Sequence, residues 1–273
     1  MSSRSLSNRE SELILALEWE EKKTVSVREI QKRLKCSLGY ASWLAHNLSK
    51  KGWLKSFAKG QYVLIPADRG PKGILEVNPY LIAGTLKKPY FLAYRFACNY
   101  HGLLTQVPSV VHIATSCKRR PLRVKKTRFE FVTLSPKRFF GFQEGSAFGE
   151  KIFVSDLERT VLDALDRAEL VGGIESAARV LSHAAKKLNY SKLLDYLKKM
   201  NDSALARRLG YLSELLNIKL SPALSKYLKT RIKKDPAFLS SPARWGIHGR
   251  RDEEWNLIVN VPREELLGEV RIA

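Results

Sequence analysis

Apolar residues recur at helical spacing over the first fifty positions of the chain. A segment from Ser7 to Lys22 carries acidic residues on one face and apolar residues on the other, and a shorter segment follows it. Three- and four-residue steps of this kind are typical of amphipathic helices that pack on a core. The inward positions are Leu13, Ile14 and Leu17 in the first helix, and Val27, Ile30 and Leu34 in the second.

Local capping chemistry marks where these helices begin. The segments Ser7 to Glu10 and Ser26 to Glu29 have the spacing of a capping box, in which a hydroxyl and a carboxylate each satisfy a free backbone donor. Ser37 can cap a third helix. Its predicted inward stripe is Ala41, Leu44, Ala45 and Leu48.

A β-hairpin is expected after the third helix. Gly52 ends that helix, residues 53–57 and 61–65 have strand composition, and Pro66 stops the second strand. Three helices followed by a hairpin predict a winged helix-turn-helix domain over residues 1–68. The expected fold class is α+β, with this domain followed by a larger mixed α/β domain that has a small antiparallel or mixed sheet and a helical C-terminal half.

The third helix and the hairpin supply the candidates for DNA contact. Lysines suit phosphates, whereas Tyr40 and Asn47 are better suited to base edges, because an Asn amide can bind adenine in a bidentate manner. Two alternatives stay open: winged domains also mediate protein contacts, and Trp43 can instead belong to the core. The candidate DNA-binding residues are Ser37, Tyr40, Trp43, Asn47, Lys50, Lys51, Lys55 and Lys59.

A polar, turn-rich segment at residues 67–73 predicts a linker, so the second domain is expected to span residues 69–273. Asn78 and Pro79 favour a helix start. Further helices are predicted at 91–100, 155–167, 174–187, 190–200, 204–216 and 221–234, and strands at 110–116, 122–134, 151–154 and 255–261. A third capping box is expected from Ser155 to Glu158.

Residues 118–138 contain nine cations and a single acid, Glu130. A solvated edge strand explains this run, and so does a phosphate-binding face on DNA. An RNA-binding face is a third interpretation, because Phe129, Phe131, Phe139 and Phe140 could stack on bases, although aromatics that alternate along a strand usually belong to the core. The possible second basic surface consists of Arg119, Arg120, Arg123, Lys125, Lys126 and Arg128.

Composition narrows the class of partner. With 48 Lys and Arg against 27 Asp and Glu, the formal net charge of +21 favours a polyanionic partner without choosing between DNA and RNA. No apolar run is long enough to span a bilayer and the first residues do not resemble a signal peptide, so no membrane association and a cytoplasmic location are expected. Three cysteines without paired spacing favour neither a disulfide framework nor a zinc ribbon.

The sequence gives no support for an enzyme. Cys98 and His101 are one helical turn apart, but no second pair of metal ligands accompanies them. The acids of residues 156–166 point around a helix and do not converge, and no phosphate-binding loop or kinase motif is present. We therefore expect no catalytic residues, no metal and no cofactor.

Three motifs resemble the AbiEi family of type IV antitoxins and transcriptional regulators. They are GQYVLIP at 60–66, VSDLERTVLDALDR at 154–167 followed by Gly172 and Gly173, and WNLIVNV at 255–261. Where the family often has Arg-Pro-Glu, this chain has Arg167, Ala168 and Glu169. The resemblance covers nearly the whole chain, and its middle motif is the most specific.

The resemblance implies a protein with two activities. Its winged domain would repress its own operon at inverted repeats in duplex DNA, and its C-terminal domain would counter a nucleotidyltransferase-like toxin of the AbiEii type, without requiring a direct complex. Some members of the family act only as regulators. A stand-alone DNA-binding regulator and an RNA-binding protein that uses the basic strand remain the alternatives.

Overall fold

The fold is α+β, as the sequence predicts. The computed structural model describes residues 4–67, 79–84, 86, 89–106, 108–124, 127–147 and 150–271. Two compact units are present, and the first consists of residues 1–88, 122–128 and 144–152. The second consists of residues 89–121, 129–143 and 153–273. The predicted linker lies outside the described residues from position 68 onward, as do Lys125 and Lys126.

The N-terminal part of the first unit contains the predicted helices and hairpin. Its elements are α1 (Asn8–Trp19), β1 (Thr24–Ser26), α2 (Val27–Leu34), α3 (Leu38–Lys50), β2 (Leu54–Ala58), β3 (Gln61–Leu64) and α4 (Pro79–Gly84). The strands form an antiparallel sheet in the order β1-β3-β2. Strand β1 was not predicted, because three residues are too few to show an alternating pattern.

The core of these elements follows the predicted apolar stripes. Leu13, Ile14 and Leu17 of α1 are at most 1% exposed, and Ile30 of α2 is fully buried. The inward stripe of α3 is confirmed at all four positions. Leu34, at the end of α2, is only partly buried.

The rest of the chain alternates between strands and helices. The strands are β4 (Tyr90–Leu92), β5 (Val110–Thr115), β6 (Leu122–Val124), β7 (Thr127–Thr133), β8 (Phe142–Ala147), β9 (Glu150–Ser155), β10 (Ala237–Phe238), β11 (Arg250–Asp252) and β12 (Leu257–Val259). The helices are α5 (Tyr94–Tyr100), α6 (Leu157–Asp166), α7 (Ile174–Ala184), α8 (Tyr190–Met200), α9 (Ser203–Leu215), α10 (Pro222–Thr230), α11 (Pro242–Trp245) and α12 (Arg263–Arg271).

These strands form two sheets. The larger has six strands in the order β6-β7-β5-β4-β9-β8, and the smaller has the order β10-β12-β11. Strand β4 lies antiparallel to β5 and parallel to β9. The sheet is therefore mixed, which is one of the two arrangements expected from the sequence.

Several predicted elements differ in their bounds. The helix predicted at 91–100 begins only at Tyr94, because Tyr90 to Leu92 pair with β5 as a strand. A short apolar run cannot be assigned to helix or strand by periodicity alone. The strand predicted at 122–134 is divided into β6 and β7, and the sequence patterns do not predict β8, β10, α11, β11 or α12.

Two of the three predicted capping boxes form only in part or not at all. Ser7 and Glu10 form the first, with the Ser7 backbone N–H donating to Glu10 at 2.8 Å. In the second, Ser26 accepts from the Glu29 N–H, but the Glu29 carboxylate contacts Lys22 and Arg33 instead. The third is wrong, because Asp156 caps α6 and the Ser155 hydroxyl bonds Thr160.

Within the described residues, no helix is long and apolar enough to cross a membrane.

Gly210 of α9 provides a test of the packing in the second unit. A Cβ at this position would lie 2.2 Å from the ring of Trp255, which is 2% exposed. We expect Gly210→Ala to lower the free energy of unfolding by about 1–3 kcal/mol through overpacking. Gly268→Ala in α12, where a Cβ meets nothing within 4 Å, should instead stabilise by about 0.5–1 kcal/mol. Denaturant unfolding of both variants tests this, and equal shifts would contradict the placement of Trp255.

Candidate nucleic-acid interface

Helix α3 presents two different faces because its apolar residues follow a strict helical spacing. The Ser37 hydroxyl caps it by accepting from the Tyr40 N–H at 3.2 Å. Ala41, Leu44, Ala45 and Leu48 are at most 1% exposed. The opposite face is thereby directed away from the core.

The outward face carries exposed apolar and aromatic residues. Leu38 is 50% exposed and Trp43 is 55% exposed, so Trp43 is not a core residue. The rings of Tyr40 and Trp43 lie 5.5 Å apart, and the Arg9 guanidinium lies 5.7 Å from the Tyr40 ring. A cation beside two aromatic rings is a surface suited to bases and sugars.

Asn47 is the polar candidate of α3 with an uncommitted amide. Its side chain is half-buried, and within the described part of the chain its amide makes no hydrogen bond. An uncommitted amide can both donate and accept, as recognition of adenine requires. Leu38 and His46 are exposed on this helix and were not among the candidates, although His46 lies one three-residue step after Trp43.

Lys51 has a structural partner. Its Nζ lies 2.6 Å from Oε2 of Glu10, a carboxylate that is 4% exposed. Burial alone would raise the pKa of Glu10, but hydrogen bonds from Lys51 and from the Ser7 N–H hold that pKa below its usual value. Lys51 therefore joins the end of α3 to α1. Its ammonium group already has a partner in the fold, unlike a lysine that is free to contact phosphate.

The remaining candidate lysines lie at three places in the first unit. Lys50 is exposed at the end of α3, and Lys55 is half-buried in β2. Lys59 is exposed in the hairpin turn, followed by Gly60 with a φ of +70°. Within the described residues no partner binds the Lys59 ammonium.

Charge is separated along the first unit. All six acids of residues 4–67 lie between Glu10 and Glu29, on or near α1 and the start of α2. From Ile30 to Ala67 the chain has seven Lys and Arg and no acid. The segment that contains α3 and the hairpin is thus positive throughout, which favours a polyanion.

The residues of the candidate second basic surface differ in exposure and belong to two different units. Arg119 is half-buried, with its guanidinium 3.4 Å from the Pro89 carbonyl oxygen and 5.9 Å from the Phe131 ring. Arg120 is exposed, as are Arg123 of β6 and Arg128 of β7. Arg119 and Arg120 belong to the second unit, whereas Arg123 and Arg128 belong to the first.

Most of the aromatics between 129 and 140 belong to the core. Phe129 is fully buried. Phe139 contacts Phe91 with ring centroids 5.2 Å apart, and Phe140 meets the Tyr196 ring edge-on at 5.0 Å. Phe129 is therefore unavailable for base stacking and Phe139 and Phe140 pack on other rings, which weakens the support that these aromatics give to the RNA interpretation.

Arg138 forms ion pairs within the fold, although it lies in the basic segment of residues 118–138. Its guanidinium donates to Asp166 at 2.7 Å and to Asp202 at 3.1 Å. The carboxylates keep the pKa of Arg138 above its usual value despite the opposing effect of burial. Sequence reasoning could not detect this, because Asp202 is 64 residues away.

The acidic motif of α6 organises the second unit. Arg159 is 1% exposed, and its Nε donates to Asp163 Oδ1 at 2.8 Å. Its Nη1 donates to the carbonyl oxygen of Arg138, also at 2.8 Å. Asp156 accepts from the Tyr196 hydroxyl at 2.7 Å, and Glu158 accepts from the Asn189 N–H at 2.9 Å.

These contacts give each of the four acids on or beside α6, Asp156, Glu158, Asp163 and Asp166, a partner in the fold. Lys192 lies within 3.2 Å of both Asp156 and Glu158. Asp163 pairs with Arg159, and Asp166 pairs with Arg138. In the part of the chain that the structure describes, no group of three potential ligands is placed to hold a metal.

Cys98 and His101 are separated by their surroundings. Burial raises the pKa of the Cys98 thiol to about 12, so the reactive thiolate is disfavoured. His101 Nε2 lies 2.7 Å from the Ser155 carbonyl oxygen, so this nitrogen must carry the proton and donate. Cys98 is thus a buried core residue, and His101 bonds the backbone of Ser155.

Comparison with known proteins identifies a protein of the same fold and gives no information on activity. No family model matches the chain, and no curated protein matches it. Among solved structures, the chain is similar to the RV2827C protein from Mycobacterium tuberculosis, with a TM-score of 0.69 and 17% sequence identity. The match covers 98% of this chain and 97% of that one, so the two share a fold.

The acid Asp163 gives an expected pH dependence. Burial raises its pKa to about 6 although Arg159 opposes the rise, whereas an unfolded Asp titrates near 3.8. Between these values the folded state retains a proton that the unfolded chain loses, so this group's contribution to stability falls as pH rises through the window.

Asp163→Asn should flatten the curve of unfolding free energy between about pH 4 and 6, by an amount on the order of 2 kcal/mol. Asp195→Asn, at an exposed position of α8, is the control and should leave the curve unchanged. A D163N curve parallel to that of the wild type would refute the assigned titration.

A second prediction compares a cation that is ion-paired in the fold, Arg138, with an exposed one, Arg120. Arg138→Ala leaves two partly buried carboxylates without their cation and should cost about 1–3 kcal/mol of stability. Arg120→Ala removes the same charge from an exposed position and should cost under about 0.5 kcal/mol. Thermal unfolding of both variants measures the difference, and similar melting temperatures would contradict the assignment.

Proposed function

We propose that this protein is a cytoplasmic, non-enzymatic DNA-binding regulator that reads duplex DNA through a winged helix-turn-helix at residues 1–68. The order of α1, β1, α2, α3, β2 and β3 supports this interpretation. So does the antiparallel sheet β1-β3-β2, which joins the hairpin to the strand ahead of α2. A winged domain places its recognition helix in the major groove and its hairpin against phosphates.

The observation that carries the proposal is the outward face of α3. It combines exposed Trp43 and the uncommitted amide of Asn47, within a segment that has cations and no acid. A helix of 13 residues is about 20 Å long and fits a groove about 12 Å wide. Phosphates are attracted to the same segment, and no acid there repels them.

Different side chains have different proposed roles. Asn47 and Tyr40 read base edges, and Trp43 packs on sugar or base. Lys50, Lys55 and Lys59 contact phosphates, while Ser37 positions the helix as its cap and Lys51 positions it through Glu10. Phosphate contacts set the register on the duplex, and base contacts set specificity.

A more specific proposal rests on the resemblance to AbiEi antitoxins. In it, the protein represses its own operon at inverted repeats, and residues 69–273 counter a nucleotidyltransferase-like toxin. A reading frame for such a toxin directly downstream, together with growth rescue on co-expression, would support the antitoxin role. Repression without any rescue would leave a stand-alone regulator.

The DNA-binding proposal is tested with the full chain and the DNA directly upstream of its gene. We expect that duplex to bind more tightly than a scrambled duplex or a single-stranded RNA of equal length. Asn47→Ala should cost about 1–3 kcal/mol on the upstream site alone. Lys59→Ala should weaken all duplexes alike and reduce the salt slope by about one unit.

Lys198→Ala is the matched control, because it removes one exposed charge from α8 in the second unit. Affinity is measured by fluorescence anisotropy over a salt series. Equal affinity for all three nucleic acids would refute specific recognition. Unchanged affinity of both N47A and K59A would refute the placement of the recognition helix.

A further inference from the structure

A cavity of about 450 Å³ lies in the second unit, away from the elements to which the proposed function assigns a role. It is bounded by α9, β11, the residues at the end of β12 and the first residue of α12. Its volume falls within the range of small-molecule sites. Leu215, Val259 and Val261 give it an apolar wall.

Three donor groups at this cavity have no acceptor among the described residues, and two of them, Arg250 and Arg263, are exposed to solvent. The guanidinium groups of Arg250 and Arg263 and the hydroxyl of Tyr211 line it, and none makes a hydrogen bond or ion pair to another described residue. Burial raises the pKa of Tyr211, and the charges of Asp252, Arg263 and Arg250 all act on it. The hydroxyl therefore stays protonated at neutral pH and lines the same cavity as both arginines.

The two acids that line the cavity are already engaged elsewhere. Glu214 Oε2 accepts from the Trp255 indole at 2.7 Å, and Glu214 also faces Lys229. Asp252 Oδ1 accepts from the Trp255 backbone N–H at 2.9 Å. The lining thus offers donors without an acceptor in the described residues, while one oxygen of each lining carboxylate is bound to Trp255.

We propose that this cavity binds a small organic anion, with a phosphate or carboxylate held by Arg250, Arg263 and Tyr211 and an apolar body against Leu215, Val259 and Val261. Arginine suits this role because its planar fork matches the oxygens of both groups. A duplex phosphate backbone has no apolar part for the wall, which is why the concave, half-apolar site favours a small molecule.

The full-length protein is titrated calorimetrically with 1-naphthyl phosphate, 1-naphthoate, 1-naphthalenemethanol and inorganic phosphate. We expect one of the two aromatic anions to bind with 1:1 stoichiometry, and the neutral alcohol and inorganic phosphate to bind at least tenfold more weakly. The stronger of the two anions identifies the head group as phosphate or carboxylate. Binding of the alcohol as tight as that of the anions would overturn the proposal.

Variants locate the site. The double change Arg250→Ala and Arg263→Ala should weaken the anion at least tenfold, and Tyr211→Phe should weaken it about fivefold, as loss of charged and neutral hydrogen bonds predicts. Lys226→Ala with Lys233→Ala removes two exposed charges outside the cavity and should change affinity less than twofold. An unchanged thermal melt of each variant shows that the fold persists.

Two results would refute the site. One is equal loss of anion binding in the two double variants, which would show that only net charge matters. The other is absence of binding by either aromatic anion at millimolar concentration, whether or not the cavity double variant weakens a 20-base-pair duplex. Because the α3 variants test DNA recognition separately, failure of this site leaves that proposal intact, and the converse also holds.

Discussion

Burial of the Arg159 guanidinium is the constraint on which the second unit depends. A buried charge must be paired and hydrogen-bonded, or it costs several kcal/mol. Here Asp163 on the same helix supplies the countercharge, and the carbonyl oxygens of Arg138 and Phe140 accept from Nη1. The chain must therefore pass close to α6 at these residues.

The close approach of this segment to α6 also requires a glycine at position 141. A Cβ there would lie 2.9 Å from the Tyr196 ring and 3.0 Å from Cβ of Arg159, and the φ of +74° favours glycine as well. Tyr196 in turn donates to Asp156, which caps α6. One buried cation thus links α6, the segment before β8 and α8, so the acidic motif has a role in folding.

In both units, some charged or polar side chains are paired within the fold and others have no partner in the described residues. Lys51 is tied to buried Glu10, whereas Lys59 and the amide of Asn47 have no partner in the described residues. In the second unit Arg138 and Arg159 are paired with acids, whereas Arg250 and Arg263 line a cavity and bond to no described residue. Both proposals rest on groups that the fold leaves uncommitted, because a group already paired must break that pair before it can bind a ligand.

The sequence by itself determined the features that act within a few residues along the chain. The inward stripe of α3, the Ser37 cap, the turn at Gly60, the α+β class and the positive sign of residues 30–67 follow from spacing and composition. Tertiary structure alone decided that Tyr90 to Leu92 form a strand, since only their pairing with β5 distinguishes them from a helical turn. It also decided which cations are bound, because Lys51 reaches Glu10 across 41 residues. Periodicity and capping act over about four residues, whereas ion pairs and strand ladders join distant parts of the chain, and no local pattern contains that information.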